Sequence, residues 1–428
     1  MKKSNLTSVS VIGLGYIGLP TAAMFASRQV KVVGVDINRH AVDTINEGKI
    51  HIVEPELDMI VHAAVTEGYL RATTSPEPAE AFLIAVPTPF SDGYKPDLAY
   101  VRAAAESIAP VLARGNIVIL ESTSPVGTTE QMVGWLSAAR PDLRFPQPGA
   151  TEVDVHVAYC PERVLPGHVV RELVENDRII GGLTEACSQR AAEVYRVFVT
   201  GSLLFSNART AEMSKLTENA FRDVNIAFAN ELSLICGKLD IDVWELIQLA
   251  NRHPRVNILQ PGAGVGGHCI AVDPWFIVDR TPDEARLTRT AREVNDGKPG
   301  WVLQRIRAAI DACVAAGRDE ASLTVAMLGL SFKPNIDDLR ESPALHIAQQ
   351  MVDATSAKVV LVEPNIAKPP RSLETCELLE LDEALQRADV VAVLVSHREF
   401  RDLRQKLAER HAVVDAVGVL RAATRPSN

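Results

Sequence analysis

The run "SVSVIGLGYIGLPTAAMFASRQ", residues 8–29, constrains the fold more than any other stretch of this chain. A short β-branched segment gives way to Gly13, Gly15 and Gly18 in G-x-G-x-x-G spacing, and an alanine-rich helical pattern follows. A strand, a tight turn and a helix are predicted. In such a unit the first glycine permits the turn, the second lets a pyrophosphate approach the backbone, and the third lets the helix pack closely on the strand. The helix N-terminus then faces the phosphates. The next strand, "KVVGVD", ends in Asp36, where an acid accepts hydrogen bonds from ribose hydroxyls and repels a 2′-phosphate. The cofactor expected is NAD rather than NADP.

Two further strand patterns, "AFLIAVPTP" at 81–89 and "NIVILESTSPVGTT" at 116–129, flank a helical pattern at 97–113. Strands alternating with helices predict a parallel, doubly wound sheet. Thr88, Ser122, Thr123 and Thr129 then fall in loops at its carboxyl edge, where such sheets bind ligands, although each threonine also suits a cap or a turn. From Asn207 to Leu239 no glycine or proline interrupts the chain before Gly237, which predicts one long helix. Lys215, Asn219, Arg222 and Ile226 lie on one stripe of it. Beyond it, "LTVAMLGLSFKP", "KVVLVEP" and "ADVVAVLVSH" echo the first three strands without the glycine signature. The fold class expected is therefore α/β, with two Rossmann-type doubly wound parallel sheets joined by a long central helix. The division expected is a dinucleotide domain at 1–206, a helical region at 207–300 and a second nucleotide-type domain at 301–428. Lys333 and Arg340 stand at the carboxyl edge of the second sheet, where they suit a phosphorylated ligand, and Arg340 could equally pair with Asp337 or Asp338.

Composition narrows the classes. Hydrophobic residues are 47% and charged residues 23%, the balance of a globular protein, and the 428 residues suit two or three domains. The net charge of −10 disfavours nucleic acid and anionic membrane partners. No apolar run approaches the roughly 18 residues of a membrane span. The opening "MKKSNLTSVSVIG" turns into a strand pattern rather than a signal peptide, which places the chain in the cytoplasm. The six scattered cysteines read as free thiols there.

One cysteine needs a chemical explanation. In "GVGGHCIAVDPW", residues 264–275, Cys269 follows His268 and a cluster of glycines that suits close backbone approach to a ligand better than core packing. No C-x-x-C accompanies them, and His253 and Asp273 do not complete a usual ligand spacing, so no metal site is expected. In an NAD enzyme a thiolate adds to an aldehyde, and the thiohemiacetal loses a second hydride to become a thioester that water cleaves to an acid. Lys215 or a neighbouring histidine could supply the electropositive surroundings that favour the thiolate. Two other readings compete: an NAD-binding redox sensor without turnover, and a single-step hydroxyacid dehydrogenase, which would need no cysteine.

The motifs "GLGYIGLPTA", "ESTSPVGTTEQM", "YCPERVLPG", "EMSKLTENAFRDVNIAFANEL", "NRHPRVNILQPGAGVGGHCIAVDPW" and "GLSFKPNIDDLRESPA" together resemble the UDP-glucose/GDP-mannose dehydrogenase family of nucleotide-sugar 6-dehydrogenases from about residue 8 to 420. The stretches around Cys269 and His253 resemble its N-acetylhexosamine branch, whose uronic acids feed polysaccharides such as enterobacterial common antigen. The long helix, rich in Ala, Phe and Leu, needs more apolar cover than two flanking domains provide, which predicts a homodimer built on it. The resemblance implies a UDP-N-acetylhexosamine substrate, N-acetylmannosamine before N-acetylglucosamine. It implies that Cys269 is the nucleophile and that Lys215 with Asn219 stabilises the oxyanion and moves the C6 hydroxyl proton. Asp273 would pair with Lys215 or the attacking water, which Glu162 would help to position. Substrate contacts would come from Arg163, Val164, Arg222, His253, Arg255 and Gly266, with Phe332 and Lys333 on the UDP. Tyr16, Ile17, Asp36, Thr88 and Thr129 would line NAD, and Arg340 would reach the cofactor or the diphosphate.

Overall fold

The computed structural model describes residues 6–52, 54–147, 152–164, 167–267 and 269–421. The chain forms two compact units, Met1–Glu218 with Asp279–Thr281, and Asn219–Val278 with Pro282–Asn428. The division falls inside the helix Ala208–Leu239, whose 32 residues extend about 48 Å.

The first unit is built on an eight-stranded sheet. Its strands are β1 (Ser8–Ile12), β2 (Lys31–Val35), β3 (Leu70–Thr73), β4 (Ala81–Ile84), β7 (Ile117–Leu120), β8 (His156–Tyr159), β9 (Arg178–Gly182) and β10 (Leu203–Asn207). A separate antiparallel hairpin, β5 (Phe90–Ser91) and β6 (Lys95–Pro96), follows β4. The order across the sheet is β10-β9-β8-β7-β4-β1-β2-β3. Six strands are parallel, while β9 and β10 run against them, because β9 pairs antiparallel with β8 and β10 pairs parallel with β9. Buried residues on successive positions of β4 and β7 divide between two cores: Leu83 and Ile119 join one, Phe82, Ile84, Val118 and Leu120 the other. A sheet covered on both faces requires such unbroken apolar strands, since side chains alternate between faces.

The second unit repeats this plan on a smaller scale. Its all-parallel sheet comprises β11 (Thr324–Leu328), β12 (Lys358–Val362), β13 (Glu377–Leu378), β14 (Val390–Val393) and β15 (Ala412–Asp415), in the order β13-β12-β11-β14-β15. Val325, Met327, Val359 and Leu361 enter one core, and Ala326, Leu328, Val360 and Val362 the other. Against the first core lies the helix Arg286–Ala315, through Val302, Ile306 and Ile310. It runs unbroken through Pro299, so it continues past the 300/301 boundary expected from sequence. Among the described residues no helix is long and apolar enough to cross a membrane.

The glycine signature owes its spacing to two close backbone contacts. Gly13 sits at φ +91°, and a Cβ there would lie 2.6 Å from the carbonyl oxygen of Ala85. A Cβ on Gly18 would lie 1.8 Å from the carbonyl oxygen of Gly13, whereas one on Gly15 would meet nothing within 4 Å. The first and third glycines therefore serve the fold, and the second leaves open space for a ligand. Gly18→Ala should lower stability by about 3 kcal/mol, the scale of forced overpacking, read as a drop in urea midpoint. Gly15→Ala should keep the wild-type midpoint and weaken NAD binding in a titration. Equal loss of stability in both variants would contradict this division of roles.

Candidate active site

The carboxyl edge of the first sheet carries one group of predicted residues. Asp36, half-buried at the end of β2, accepts the backbone N–H of Leu14 at 2.9 Å on Oδ2 and that of Asn38 at 2.8 Å on Oδ1. Each carboxylate oxygen has capacity left for a hydroxyl donor. The helix Gly18–Ala26 has no side-chain cap and no acid in its first turn, so its N-terminal dipole is uncompensated. Exposed Gly15 and Tyr16 and half-buried Ile17 lie between β1 and this helix. These features fit a dinucleotide. Thr88 Oγ1 donates to the carbonyl of Thr123 at 2.5 Å, tying the loop after β4 to the loop after β7. Thr129 is fully buried, and its N–H and hydroxyl both donate to Glu212 Oε1, at 2.8 and 2.6 Å. The same carboxylate takes the Gly127 N–H at 2.6 Å, so Glu212 caps the helix Thr128–Ala139 three residues before Lys215. Thr129 thus has a structural partner that the sequence did not reveal.

Glu162, expected beside the attacking water, is buried and committed to protein partners. One oxygen accepts from the N–H of Arg163 at 2.9 Å, and the other forms an ion pair with buried Arg178. Arg178 also faces Glu121 Oε1 at 3.4 Å, which in turn accepts from the Tyr195 hydroxyl at 2.6 Å. Two buried carboxylates therefore share one guanidinium. Arg163 itself reaches Glu218 at 2.9 Å and the carbonyl of Asp177, while Val164 packs against the core. Glu121, Arg178 and Glu212 were missed by sequence reasoning. Glu121 opens the "ESTSPVGTT" motif, but nothing in spacing distinguishes a buried acid from a strand-end acid.

The second unit holds the other group. Cys269 is the one exposed cysteine of the six. Its carbonyl accepts the N–H groups of Val272 at 3.1 Å and Asp273 at 2.9 Å, forming the turn that leads into the helix Asp273–Arg280. Asp273 is buried and accepts from Asn219 Nδ2 at 2.5 Å, which joins two of the predicted residues. His268 lies outside the described residues. Lys215 is half-buried in the first unit, and Cys269 stands in the second. Exposed Arg222 lies one step beyond Asn219 on the long helix. His253 and Arg255 are exposed after the helix Val243–Ala250, with the Arg255 N–H donating to His253 Nδ1 at 3.3 Å.

The glycine loop is held from two sides. Asn230 Oδ1 accepts the Gly262 N–H at 2.9 Å, and its amide donates to Asn295 Oδ1 at 2.9 Å. Asn295 and Arg292 both donate to Asp223 Oδ1, at 2.8 and 2.7 Å, and all three are buried. On the other side, a Cβ on Gly266 would lie 2.2 Å from the Glu341 carbonyl oxygen and 3.1 Å from Phe332 Cβ. Phe332 is half-buried and Lys333 exposed, in the loop after β11. Arg340 forms a bidentate pair with Asp338 at 2.9 and 2.6 Å, the local pairing that the sequence had left open.

The chain as a whole resembles known proteins. Residues 7–199 match the NAD binding domain of the UDP-glucose/GDP-mannose dehydrogenase family, residues 209–297 its central domain and residues 326–422 its UDP binding domain. An NDP-N-acetyl-D-galactosaminuronic acid dehydrogenase of Ralstonia nicotianae is 63% identical over 412 residues, covering 96% of each chain. A UDP-N-acetyl-D-mannosamine dehydrogenase of Salmonella typhi is 62% identical over 419 residues, covering 97% of this chain and all of that one. The solved structure of a UDP-D-ManNAc dehydrogenase from Pyrococcus horikoshii aligns at a TM-score of 0.86 with 38% identity, over 97% of this chain and 96% of that one.

The shared cation makes a prediction about pH. Burial is the largest influence on Glu121 and raises its carboxyl; Arg178 opposes it, neighbouring Glu162 adds to it, and the group comes to about 7. A folded-state value above the ordinary 4.5 stabilises the fold fully below that ordinary value and ceases to do so as pH rises through about 7. The urea midpoint should therefore fall between about pH 5 and pH 8. Glu121→Gln, which cannot ionise, should flatten that slope; an unchanged slope would locate its source elsewhere.

Proposed function

Since this chain belongs to the UDP-glucose/GDP-mannose dehydrogenase family, we propose that it oxidises the C6 hydroxyl of UDP-N-acetyl-D-mannosamine to the carboxylate in two successive steps, in the cytoplasm, where both NAD and nucleotide sugars are found. The observation that carries the reading is the setting of Cys269: an exposed thiol on a glycine loop, one turn from an Asp273 that is bonded to Asn219. Residues 1–206 bind NAD, 207–300 supply the central helical part, and 301–428 bind UDP.

Bound NAD supplies the hydride acceptor for each oxidation, held by the Gly13–Gly18 turn, Tyr16, Ile17, Asp36 and Thr88, whereas buried Thr129, expected to join them, is spent on Glu212. Lys215, with Asn219, takes the proton of the C6 hydroxyl as the aldehyde forms and stabilises the oxyanion that follows. The Cys269 thiolate then adds to the aldehyde carbon, forming a C–S bond. Loss of the second hydride from this thiohemiacetal leaves a thioester, and water breaks the C–S bond to release the carboxylate and restore the thiol. Asp273, bonded to Asn219, accepts the proton of that water, and Glu162 holds Arg163 and Arg178 within the first unit. The sum is R–CH2OH, two NAD⁺ and one water going to R–COO⁻, two NADH and three protons. Arg163, Val164, Arg222, His253, Arg255 and Gly266 contact the sugar nucleotide, Phe332 and Lys333 its UDP, and Arg340 the diphosphate or the cofactor.

The 62% identity to a UDP-N-acetyl-D-mannosamine dehydrogenase over that enzyme's full length supports the sugar. The 63% identity to an NDP-N-acetyl-D-galactosaminuronic acid dehydrogenase favours a second reading with the galactosamine epimer. UDP-N-acetylglucosamine is the third substrate to try. NADH formation with each UDP-sugar in turn discriminates among them, and the true substrate should give two NADH per molecule. A ratio near one with free aldehyde would sink the two-step scheme. Cys269→Ser should bind NAD and UDP-sugar with near-wild-type affinity, while acid production falls by at least about a thousandfold, because a hydroxyl is a far weaker nucleophile at neutral pH than a thiolate. Acid formation at the wild-type rate in that variant would remove the thiol from the reaction.

The long helix supports a homodimer. Phe221, Phe228 and Ile235, seven residues apart, are 71%, 49% and 45% exposed. Steps of seven hold one face of a helix with a drift of about 20° each, so these side chains form an apolar stripe that a symmetric partner would bury. In sedimentation equilibrium the protein should be dimeric at micromolar concentration, and Phe228→Glu should shift it towards monomer. A monomeric wild type would contradict the assignment.

A further inference from the structure

The carboxyl edge of the second sheet contains a buried polar couple outside the residues assigned above. Glu363 follows β12, His397 lies shortly after β14, and both side chains are fully buried. His397 Nε2 stands 3.0 Å from Glu363 Oε2 and 3.4 Å from Ser331 Oγ. Glu363 Oε2 also accepts the N–H groups of Leu330 and Ser331, at 2.7 and 3.1 Å, and Oε1 accepts from Asn365. Burial works against the Glu363 carboxylate, but the bonds from His397 and Leu330 outweigh it and hold the carboxyl below its ordinary value.

Geometry fixes the proton on His397. The backbone N–H of Asn335 points at Nδ1 from 3.0 Å, and the Asn365 amide stands 3.2 Å from the same atom. A backbone N–H can only donate, so Nδ1 carries no proton and Nε2–H faces the carboxylate. Asn335 adopts φ +63°, a left-handed conformation, and its Oδ1 accepts the Arg398 N–H at 2.9 Å. The loop 331–335, "SFKPN", is thereby fastened at both ends, by Ser331 to Glu363 and by Asn335 to His397 and Arg398. Its Phe332 lies against the thiol loop: a Cβ on Gly267 would come 3.0 Å from the ring and one on Gly266 3.1 Å from Phe332 Cβ. His397 thus holds Asn335 at one end of the loop, and Phe332 in the same loop lies against the glycines before Cys269.

We propose that His397, through its unprotonated Nδ1, is a positioning residue that fixes loop 331–335 for a nucleoside diphosphate and seats Phe332 under the Cys269 loop, so that one side chain sets both nucleotide binding and thiol placement. The proposal rests on the reading of Phe332 and Lys333 as part of the UDP site. Two substitutions separate the two nitrogens. His397→Gln can keep the donor to Glu363 but presents no acceptor at Nδ1, whereas His397→Asn keeps an acceptor near Nδ1 and loses the donor. Losing an acceptor leaves the Asn335 N–H unpaired, and one such hydrogen bond corresponds to about a tenfold change in an equilibrium constant.

In calorimetry with UDP alone, His397→Gln should raise Kd about tenfold and His397→Asn less than about threefold, with NAD affinity unchanged in both. The KM for the nucleotide sugar should follow the UDP Kd. A purely structural role would lower the melting temperature of both variants and leave the UDP Kd of the folded protein alone. A wild type that fails to bind UDP overturns the UDP reading and this proposal with it. A wild type and His397→Gln that bind UDP equally overturn this proposal only. Should the variants not fold, histidine-selective ¹⁵N NMR of the wild type decides: the His397 signals should show the Nε2–H tautomer and move on addition of UDP but not of NAD. An Nδ1–H tautomer, or signals unmoved at saturating UDP, would overturn it.

Discussion

A carboxylate at the end of a second strand, bonded back to the turn after the first, is the closure on which both sheets of this protein depend. Asp36 receives Leu14 N–H in the first unit, and Glu363 receives Leu330 and Ser331 N–H in the second. In each case the turn leaving the first strand exposes backbone donors that no strand partner can take, and an unpaired buried donor costs about 1–3 kcal/mol. The acid satisfies them and thereby sets the height of the carboxyl edge. The two closures then diverge. Asp36 is half-buried and retains lone pairs for hydroxyl groups, whereas Glu363 is fully enclosed and takes His397 as well. The same device is left partly open in one unit and sealed as a structural support in the other.

The long helix is fixed by different means along its length. Near its start, Glu212 buries its carboxylate on the amides of Gly127 and Thr129; burial raises its pKa and those hydrogen bonds only partly offset the rise. Further along, Asp223 meets Arg292 and Asn295, and Asn230 extends that network to Gly262. Buried ionic groups gain little net stability over apolar packing, but removing one partner is costly. Their effect is to fix register: they specify which turn of the helix faces which loop. Lys215 follows the Glu212 anchor by three residues in the first unit, and Asn219 precedes the Asp223 anchor by four in the second.

Much of this was legible in the sequence, and the remainder was hidden for physical reasons. The glycine signature, the strands at 81–84, 117–120, 324–328, 358–362 and 390–393, and the helix at 208–239 all follow from periodicity and from the absence of breakers. The helix Arg286–Ala315 crosses the boundary expected at 300/301, because buried Val302, Ile306 and Ile310 outweigh the penalty of Pro299. The reversal of β9 and β10 leaves no trace in local pattern, because the period-2 signal of a strand is the same in either direction. Of the candidate site, the pairing of Asn219 with Asp273 joins residues 54 positions apart. Glu121, Arg178, Glu212 and His397 escaped because a buried polar side chain looks like a surface one until its long-range partner is known. Glu363 was closer to hand, since "KVVLVE" repeats "KVVGVD" down to the terminal acid.

The cysteines show how the same side chain is given two fates by its surroundings. Cys160, Cys187, Cys236 and Cys376 are buried, and burial pushes the Cys160 thiol up to about 12, where it is inert at neutral pH. Cys269 is exposed on a loop whose glycines cannot be replaced without striking Phe332, Pro343 or the Glu341 carbonyl. From Cys269 a turn leads directly into the helix Asp273–Arg280. The missing Cβ atoms of Gly264, Gly266 and Gly267 make that close packing against Phe332, Pro343 and the Glu341 carbonyl possible, while the thiol itself stays exposed.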